Sequence, residues 1–258
     1  MLVPQWINLQ RSSGVKRMSR SFVQPFKVSS SKVMQVPHAY AHTVKSIKDA
    51  CMCMSPFKTS ESMQGGDGRI MSAVKEKDYL DELEVKLKEI DPDTLFERPP
   101  DRFWYDVRIN KIPINLKLTM GGTDNVFNKK SIIYTLTGDD SATGNMNFND
   151  WYKKLMQGKM KEERDRSTEY HFLVVNKETS EVLLKSILDI HTFKSNPCND
   201  LQINWKNEFK HLDYVTPDEL YEQKAKSLVK MVQTSVKQYM QSILDFASAD
   251  IDKDLNFK

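Results

Sequence analysis

The sequence predicts an α/β protein, a mixed β-sheet flanked by helices, preceded by a basic N-terminal tail. Three observations lead there. Leu80, Leu83, Leu87 and Ile90 recur at helical spacing, two short apolar runs meet at Asn110-Lys111, and a second helical stripe runs from Leu228 to Phe246. At 258 residues the chain can bury a sizeable core, and 28% charged with 39% apolar residues is the balance of a slightly polar globular protein.

The tail comes first. Before Asp49 there is no acidic residue, whereas Arg11, Lys16, Arg17, Arg20, Lys27, Lys32, Lys45 and Lys48 are basic. Serine runs such as VSSSKV, scattered prolines and the lack of sustained periodicity assign residues 1–70 to a loosely ordered segment outside the fold, and 71–258 to the folded domain. Three readings of the tail stay open: an arm that touches phosphates, a transit-like peptide, or sequence upstream of the true translation start. The last is supported by Met71, which sits between the glycine-rich GGDGRI and the first convincing helix.

That helix spans roughly 72–90 and is followed by Pro92. Strands are expected at about 103–109, 112–118 and 131–137 (SIIYTLT), then a short helix over 147–161. The charged turn EERDRSTE leads into the strand YHFLVV, and EVLLKSILDI supplies another. HTFKSNPCNDLQINWKNE, polar with a proline and several asparagines, reads as a surface loop. A long last helix is expected to start from a Thr216 cap with Pro217 at its first position.

Several classes are excluded. No apolar run reaches the ~18 residues of a membrane-spanning helix. The three cysteines Cys51, Cys53 and Cys198 form neither a disulfide framework nor a zinc-like spacing, and point to a reducing, cytoplasmic setting. The chain lacks a Walker-type phosphate loop, a G-x-S-x-G elbow and an H-E-x-x-H pair. A net charge of +3 neither demands nor opposes nucleic acid.

The informative stretch is WYDVRINKIPINLKLT, residues 104–119. If Asn110-Lys111 is a two-residue turn, Ile109 faces Ile112, Val107 faces Ile114 and Asp106 faces Asn115. Tyr105, Val107, Ile109, Ile112, Ile114, Leu116 and Leu118 then share one apolar face, and Asp106, Asn115 and Lys117 gather on the other. A slip by one residue would expose the whole apolar set, so the register is fixed by burial. A carboxylate and an amide oxygen suit Mg²⁺, and a neighbouring ammonium can orient water or phosphate, which are the parts phosphodiester cleavage needs. A merely solvated strand face is the alternative.

YDVRINKIPINLKLT resembles the active-site hairpin of the PD-(D/E)XK nuclease superfamily, in which an aspartate on one strand precedes an acidic-x-lysine triplet on the next. INLKLTMGGTDNVFNKKSIIYTLTG, and EVLLKSILDI leading into HTFKSNPCND, resemble type II restriction endonucleases of the EcoRV kind over roughly residues 72–250. The resemblance implies a restriction-endonuclease-like fold, a Mg²⁺ cofactor, double-stranded DNA as partner, and Asp106, Asn115 and Lys117 as site residues. Asn115 departs from the usual Asp or Glu: it can still offer an oxygen to a metal but brings no charge. Superfamily members often contribute a glutamate from the preceding helix, which makes Glu76 the first choice and Glu84 the second. Asp101 in RPPD is the rival to Asp106.

Base-edge contacts would come from Lys194, Asn196, Asn199, Gln202 and Asn204, and phosphate contacts from Lys129 and Lys130. Lysines and asparagines in loops are also simply solvated. The expected activity is Mg²⁺-dependent, site-specific cleavage of DNA. A nicking or repair nuclease and a catalytically silent DNA-binding protein are its competitors. The last helix could pack on the sheet or support a homodimer suited to a symmetric site.

Overall fold

The computed structural model describes residues 38–54, 68–100, 103–125, 129–141, 147–196 and 200–248. Helix α1 is His38–Cys53 and α2 is Gly68–Ile90; strands β1 (Phe96–Glu97), β2 (Val107–Ile109), β3 (Ile112–Thr119) and β4 (Thr123–Asn125) follow. Next come α3 (Lys129–Thr137), α4 (Phe148–Gln157), β5 (His171–Asn176), β6 (Val182–Ser186), β7 (Lys194–Asn196) and β8 (Asp200–Asn204). Helices α5 (Trp205–Glu208) and α6 (Tyr221–Ala247) complete the order.

The result is mixed α/β. A five-stranded sheet runs β1-β2-β3-β5-β6, with β3 and β5 parallel and the other neighbours antiparallel. A smaller antiparallel sheet runs β4-β8-β7. Two hydrophobic clusters sandwich the larger sheet. On one side Val107, Ile109, Ile114, Leu116, Leu173 and Val175 pack with Ile47 and Ala50 of α1 and Leu80, Leu83 and Leu87 of α2. On the other, Phe172 and Val174 pack with Ile132 and Ile133 of α3, Trp151 of α4, Leu201 and Ile203 of β8, and Leu228 and Val232 of α6.

Four expectations are corrected. Residues 38–53, expected within the tail, form α1, in which Ile47 and Ala50 are wholly buried. The helix packs against β6, the edge strand of the large sheet. Residues 68–70, also expected in the tail, open α2, and residues 1–37 and 55–67 lie outside the described residues.

The strand expected over SIIYTLT is the helix α3. Ser131 to Leu136 are all buried, and a continuously buried run has no period to separate helix from strand. The parallel pairing of β3 with β5 settles it, because a parallel connection must cross over the sheet and α3 with α4 makes that crossing. Gly138, φ +76°, ends α3 with its N–H donating to Tyr134 O at 2.7 Å, a helix-end signal present in the sequence.

The expected surface loop contains the β7–β8 pair, in which Leu201 and Ile203 are buried and alternate with half-buried Gln202 and Asn204. Thr216 does not cap the last helix. Its hydroxyl donates to Leu188 O at 2.6 Å, and a short 3-10 turn, Asp218–Leu220, leads into α6. Among the described residues no helix is long and apolar enough to cross a membrane.

Candidate active site on the hairpin

The β2–β3 register is the one the apolar pattern requires: Val107 pairs with Ile114 and Ile109 with Ile112. Asn110 and Lys111 both have positive φ, +45° and +76°, as a two-residue turn that follows the twist of the strands demands. Asn110 is also tied down from outside. Its Oδ1 accepts from Leu95 N at 2.8 Å, and its Nδ2 donates to Thr43 Oγ1 of α1 at 3.0 Å.

Asp106 lies just before β2, and its N–H donates to Ile114 O at 2.9 Å, extending the ladder by one residue. Its Oδ2 accepts from Asn115 Nδ2 and from Leu116 N, each at 2.7 Å. Asp106 and Asn115 therefore meet. Because a carboxylate only accepts, the amide nitrogen of Asn115 is the atom turned to it, and the amide oxygen remains available. Asn115 and Lys117 pair in register with Phe172 and Val174 of β5, so both project on that side of the sheet, half-buried. The apolar face differs from expectation at one residue: Tyr105 joins the opposite cluster with Trp104, because the chain is not yet in the strand there.

Glu76, on α2, is half-buried and within electrostatic reach of Lys117, Asp106, Lys177 and Asp124. Burial pushes its carboxyl pKa up; Lys117 pulls it down and the Asp106 charge pushes it up again. Burial also raises Asp106, against the pull of the Leu116 N–H and of Lys117. Two carboxylates with raised pKa values thus share one lysine. Asp124 and Lys177 were not anticipated. Asp124 is held by Trp205 Nε1, which donates to its Oδ2 at 2.6 Å.

The second-choice Glu84 is engaged elsewhere, by Lys88 at 2.7 Å and Arg98 at 3.6 Å. Asp101 and Asn199 lie outside the described residues. Lys194 and Gln202 face each other across β7 and β8. Asn196 anchors that ribbon, its N–H donating to Ser235 Oγ of α6 at 2.9 Å. Asn204 is committed to structure: its Oδ1 accepts from Asn207 N at 3.0 Å and caps α5. Lys129 and Lys130 open α3, where Lys129 O accepts from Trp151 Nε1 at 2.9 Å and Lys130 Nζ lies 5.8 Å from the centre of the Phe103 ring.

As a metal site the hairpin offers two hard oxygen donors, the Asp106 carboxylate and the Asn115 amide, with the Glu76 carboxylate of α2 within electrostatic reach, chemistry that would suit Mg²⁺ retaining part of its water shell. Among the described residues no three His, Cys, Asp or Glu side chains gather as a ready-made cage. Asn115 supplies its oxygen without charge.

A second charged cluster went unread inside EERDRSTE. Arg164 Nε donates to Glu169 Oε1 at 2.7 Å, and its Nη2 to Glu169 Oε2 at 3.0 Å and Asp189 Oδ1 at 2.9 Å. Arg166 Nη1 donates to Asp189 Oδ2 at 3.0 Å, and both guanidinium groups reach Thr216 O. Ser186 Oγ adds a bond to Glu169 Oε2. His171 Nδ1–H donates to Glu169 O, which leaves Nε2 to accept from Tyr40 O–H, both at 2.8 Å. Burial lowers the His171 pKa and keeps the ring neutral. No family model, curated protein or solved structure matches this chain.

Proposed function

We propose that the protein is a Mg²⁺-dependent endonuclease that cleaves double-stranded DNA at defined sites, with the reacting phosphate lodged against the β2–β3 hairpin. The observation that carries this reading is the meeting of Asp106 with Asn115 on the strand face that also carries Lys117, with Glu76 of α2 within electrostatic reach. Asp106 and Glu76 would hold the ion, with the Asn115 oxygen as a neutral third donor. When bound, Mg²⁺ supplies positive charge against the charge that builds as water attacks phosphorus and a P–O ester bond breaks. Lys117 pulls the pKa of both carboxylates down against the effect of burial, and would present a cation to the phosphate.

Recognition falls to the β7–β8 ribbon. In the major groove Lys can read guanine and Gln adenine, so Lys194 and Gln202, paired across β7 and β8 at the β7 edge of the smaller sheet, would be the base-reading pair. Lys129 and Lys130 would contribute phosphate contacts that position the duplex.

One observation favours a second reading, a DNA-binding protein without cleavage. Asn115 already satisfies Asp106 by a hydrogen bond and adds no charge, which weakens attraction for a cation. Incubating a defined plasmid with the protein and Mg²⁺ or Mn²⁺ separates the two. Discrete fragments that vanish in Asp106→Ala and Lys117→Ala support cleavage. A retarded but intact plasmid sinks it in favour of binding, and a smear removes site specificity.

A further inference from the structure

Helix α6 has two halves. Tyr221, Ala225, Leu228, Val232 and Ser235 are buried against the body, whereas every residue from Lys237 to Ser248 is exposed. The apolar stripe does not stop where the contacts stop. Tyr239, Met240, Ile243, Leu244 and Phe246 continue it at helical spacing and are 53%, 57%, 48%, 57% and 73% exposed. The helix overhangs the body by about three turns, roughly 18 Å.

We propose that this overhanging stripe is a self-association surface, on which the same stripe of a second copy of this chain packs antiparallel. Area is the first argument. With large side chains exposing roughly 150–250 Å² when free, the five residues present on the order of 500 Å² of apolar side chain. A standard interface takes about 800 Å² from each partner, about 65% of it apolar in homodimers, which is about 520 Å² a side. The stripe supplies that apolar share, and Lys237, Gln233, Gln241 and Ser248 beside it supply a polar rim. Composition is the second. The stripe carries no charge, so it is complementary to itself, as a two-fold contact requires, and offers nothing to a phosphate backbone.

Orientation follows from the helix itself. At 100° per residue, Tyr239, Ile243 and Phe246 lie on the same face as Leu228 and Val232, the face that meets the body. A partner helix running parallel would bring its own body into the place of the first. Running antiparallel, the partner's body lies beyond the tip, and Tyr239 comes opposite Leu244 with Met240 opposite Ile243. The surface stands on burial alone, whatever the hairpin does chemically.

Sedimentation velocity on the full chain over a wide concentration range tests it. A dimer is expected, and Ile243→Glu/Leu244→Glu should raise the dimer Kd about 100-fold or more by forcing charges into an apolar contact. These side chains are about half exposed, so the thermal midpoint of the variant monomer should stay close to that of the parent. If cooperative unfolding is lost, Phe246→Ser, at the most exposed position, gives the same reading. For orientation, mixed chains carrying Tyr239→Cys and Leu244→Cys, with Cys53 and Cys198 as serine, should form the hetero-disulfide in preference to either homo-disulfide. A monomer at all concentrations, a dimer indifferent to these substitutions, or preferred Tyr239→Cys homo-disulfides would each overturn the proposal.

Discussion

The hairpin and the Arg164 cluster are both groups of charges on the same sheet, and they are built on opposite principles. In the cluster every carboxylate oxygen of Glu169 and Asp189 has a donor, and Arg164 is only 1% exposed. Burial works against the Arg164 charge, yet the two carboxylates outweigh it and hold its pKa above the ordinary arginine value. One donor is left over, the buried Nε of Arg166, which has no hydrogen-bond partner among the described residues. At the hairpin Asp106 is half-buried and bonded through one oxygen, and Glu76 and Lys117, half-buried and within electrostatic reach of each other, make no hydrogen bond among the described residues. Charge density alone does not mark a site. Incompletely bonded carboxylates, with pKa values displaced upward by burial, separate the hairpin from the knot.

Breaking each region should therefore give different outcomes. The largest effect on stability is expected for Arg164→Ala, which removes the paired cation from the buried Glu169 carboxylate and one donor from Asp189. A loss of about 3–5 kcal/mol, or roughly 10 °C or more in Tm, should appear in thermal unfolding. Asp106→Ala and Lys117→Ala should reduce the proposed cleavage about 10²–10³-fold while moving Tm by no more than about 4 °C. If Asp106→Ala unfolds the protein as Arg164→Ala does, the contrast fails.

The pH profile sharpens the same point, because the two regions carry opposite signs. Asp106 and Glu76 have folded pKa values above their unfolded ones, so the native state binds more protons between the two and their contribution to stability falls as pH rises through that window. Cleavage needs them charged and should rise over the same window, above the ordinary carboxylate range. In Lys117→Met the acid limb of the pH–rate profile should move to higher pH, since Lys117 pulls both values down. His171 behaves the other way. Its folded pKa lies below its unfolded one, so its share of stability is full above the ordinary histidine value and is lost as pH falls towards the folded value.

Asn115→Asp tests whether the hairpin lacks only charge. It would set two carboxylates where Asn115 Nδ2 now lies 2.7 Å from Asp106 Oδ2. Without a cation this should cost about 1–3 kcal/mol at neutral pH. Mg²⁺ at a hundred times its Kd should restore about 2.7 kcal/mol, visible as a metal-dependent rise in Tm reached at lower Mg²⁺ concentration than in the parent. A Tm indifferent to Mg²⁺ would count against a metal at this place. The smallest effect is expected for Tyr40→Phe, which removes one hydrogen bond from His171 Nε2 and should lower Tm by about 2–4 °C for about 1 kcal/mol.

Much of the hairpin was legible in the chain. Its alternation is strict, one face is apolar, and only one register buries that face, so the meeting of Asp106 with Asn115 followed from counting. Helix α3 was not legible by period, because Ile132, Ile133 and Leu136 are buried on all sides, although Gly138 after Thr137 carried the helix-end signal. Helix α1 was obscured by the basic, serine-rich segment before it, although Val44, Ile47 and Cys51 keep helical spacing.

By itself the sequence determined the mixed α/β class, the hairpin register and the juxtaposition of three polar groups. Each depends on local periodicity, and period 2 or 3.6 is written in neighbouring residues. The tertiary structure decided the rest: that Glu76 comes within electrostatic reach of Lys117, that Arg164 and Arg166 close on Asp189 and Thr216, and that α6 outruns the body it packs on. Those outcomes join residues far apart in the chain, through packing between elements whose angles and distances no local pattern encodes.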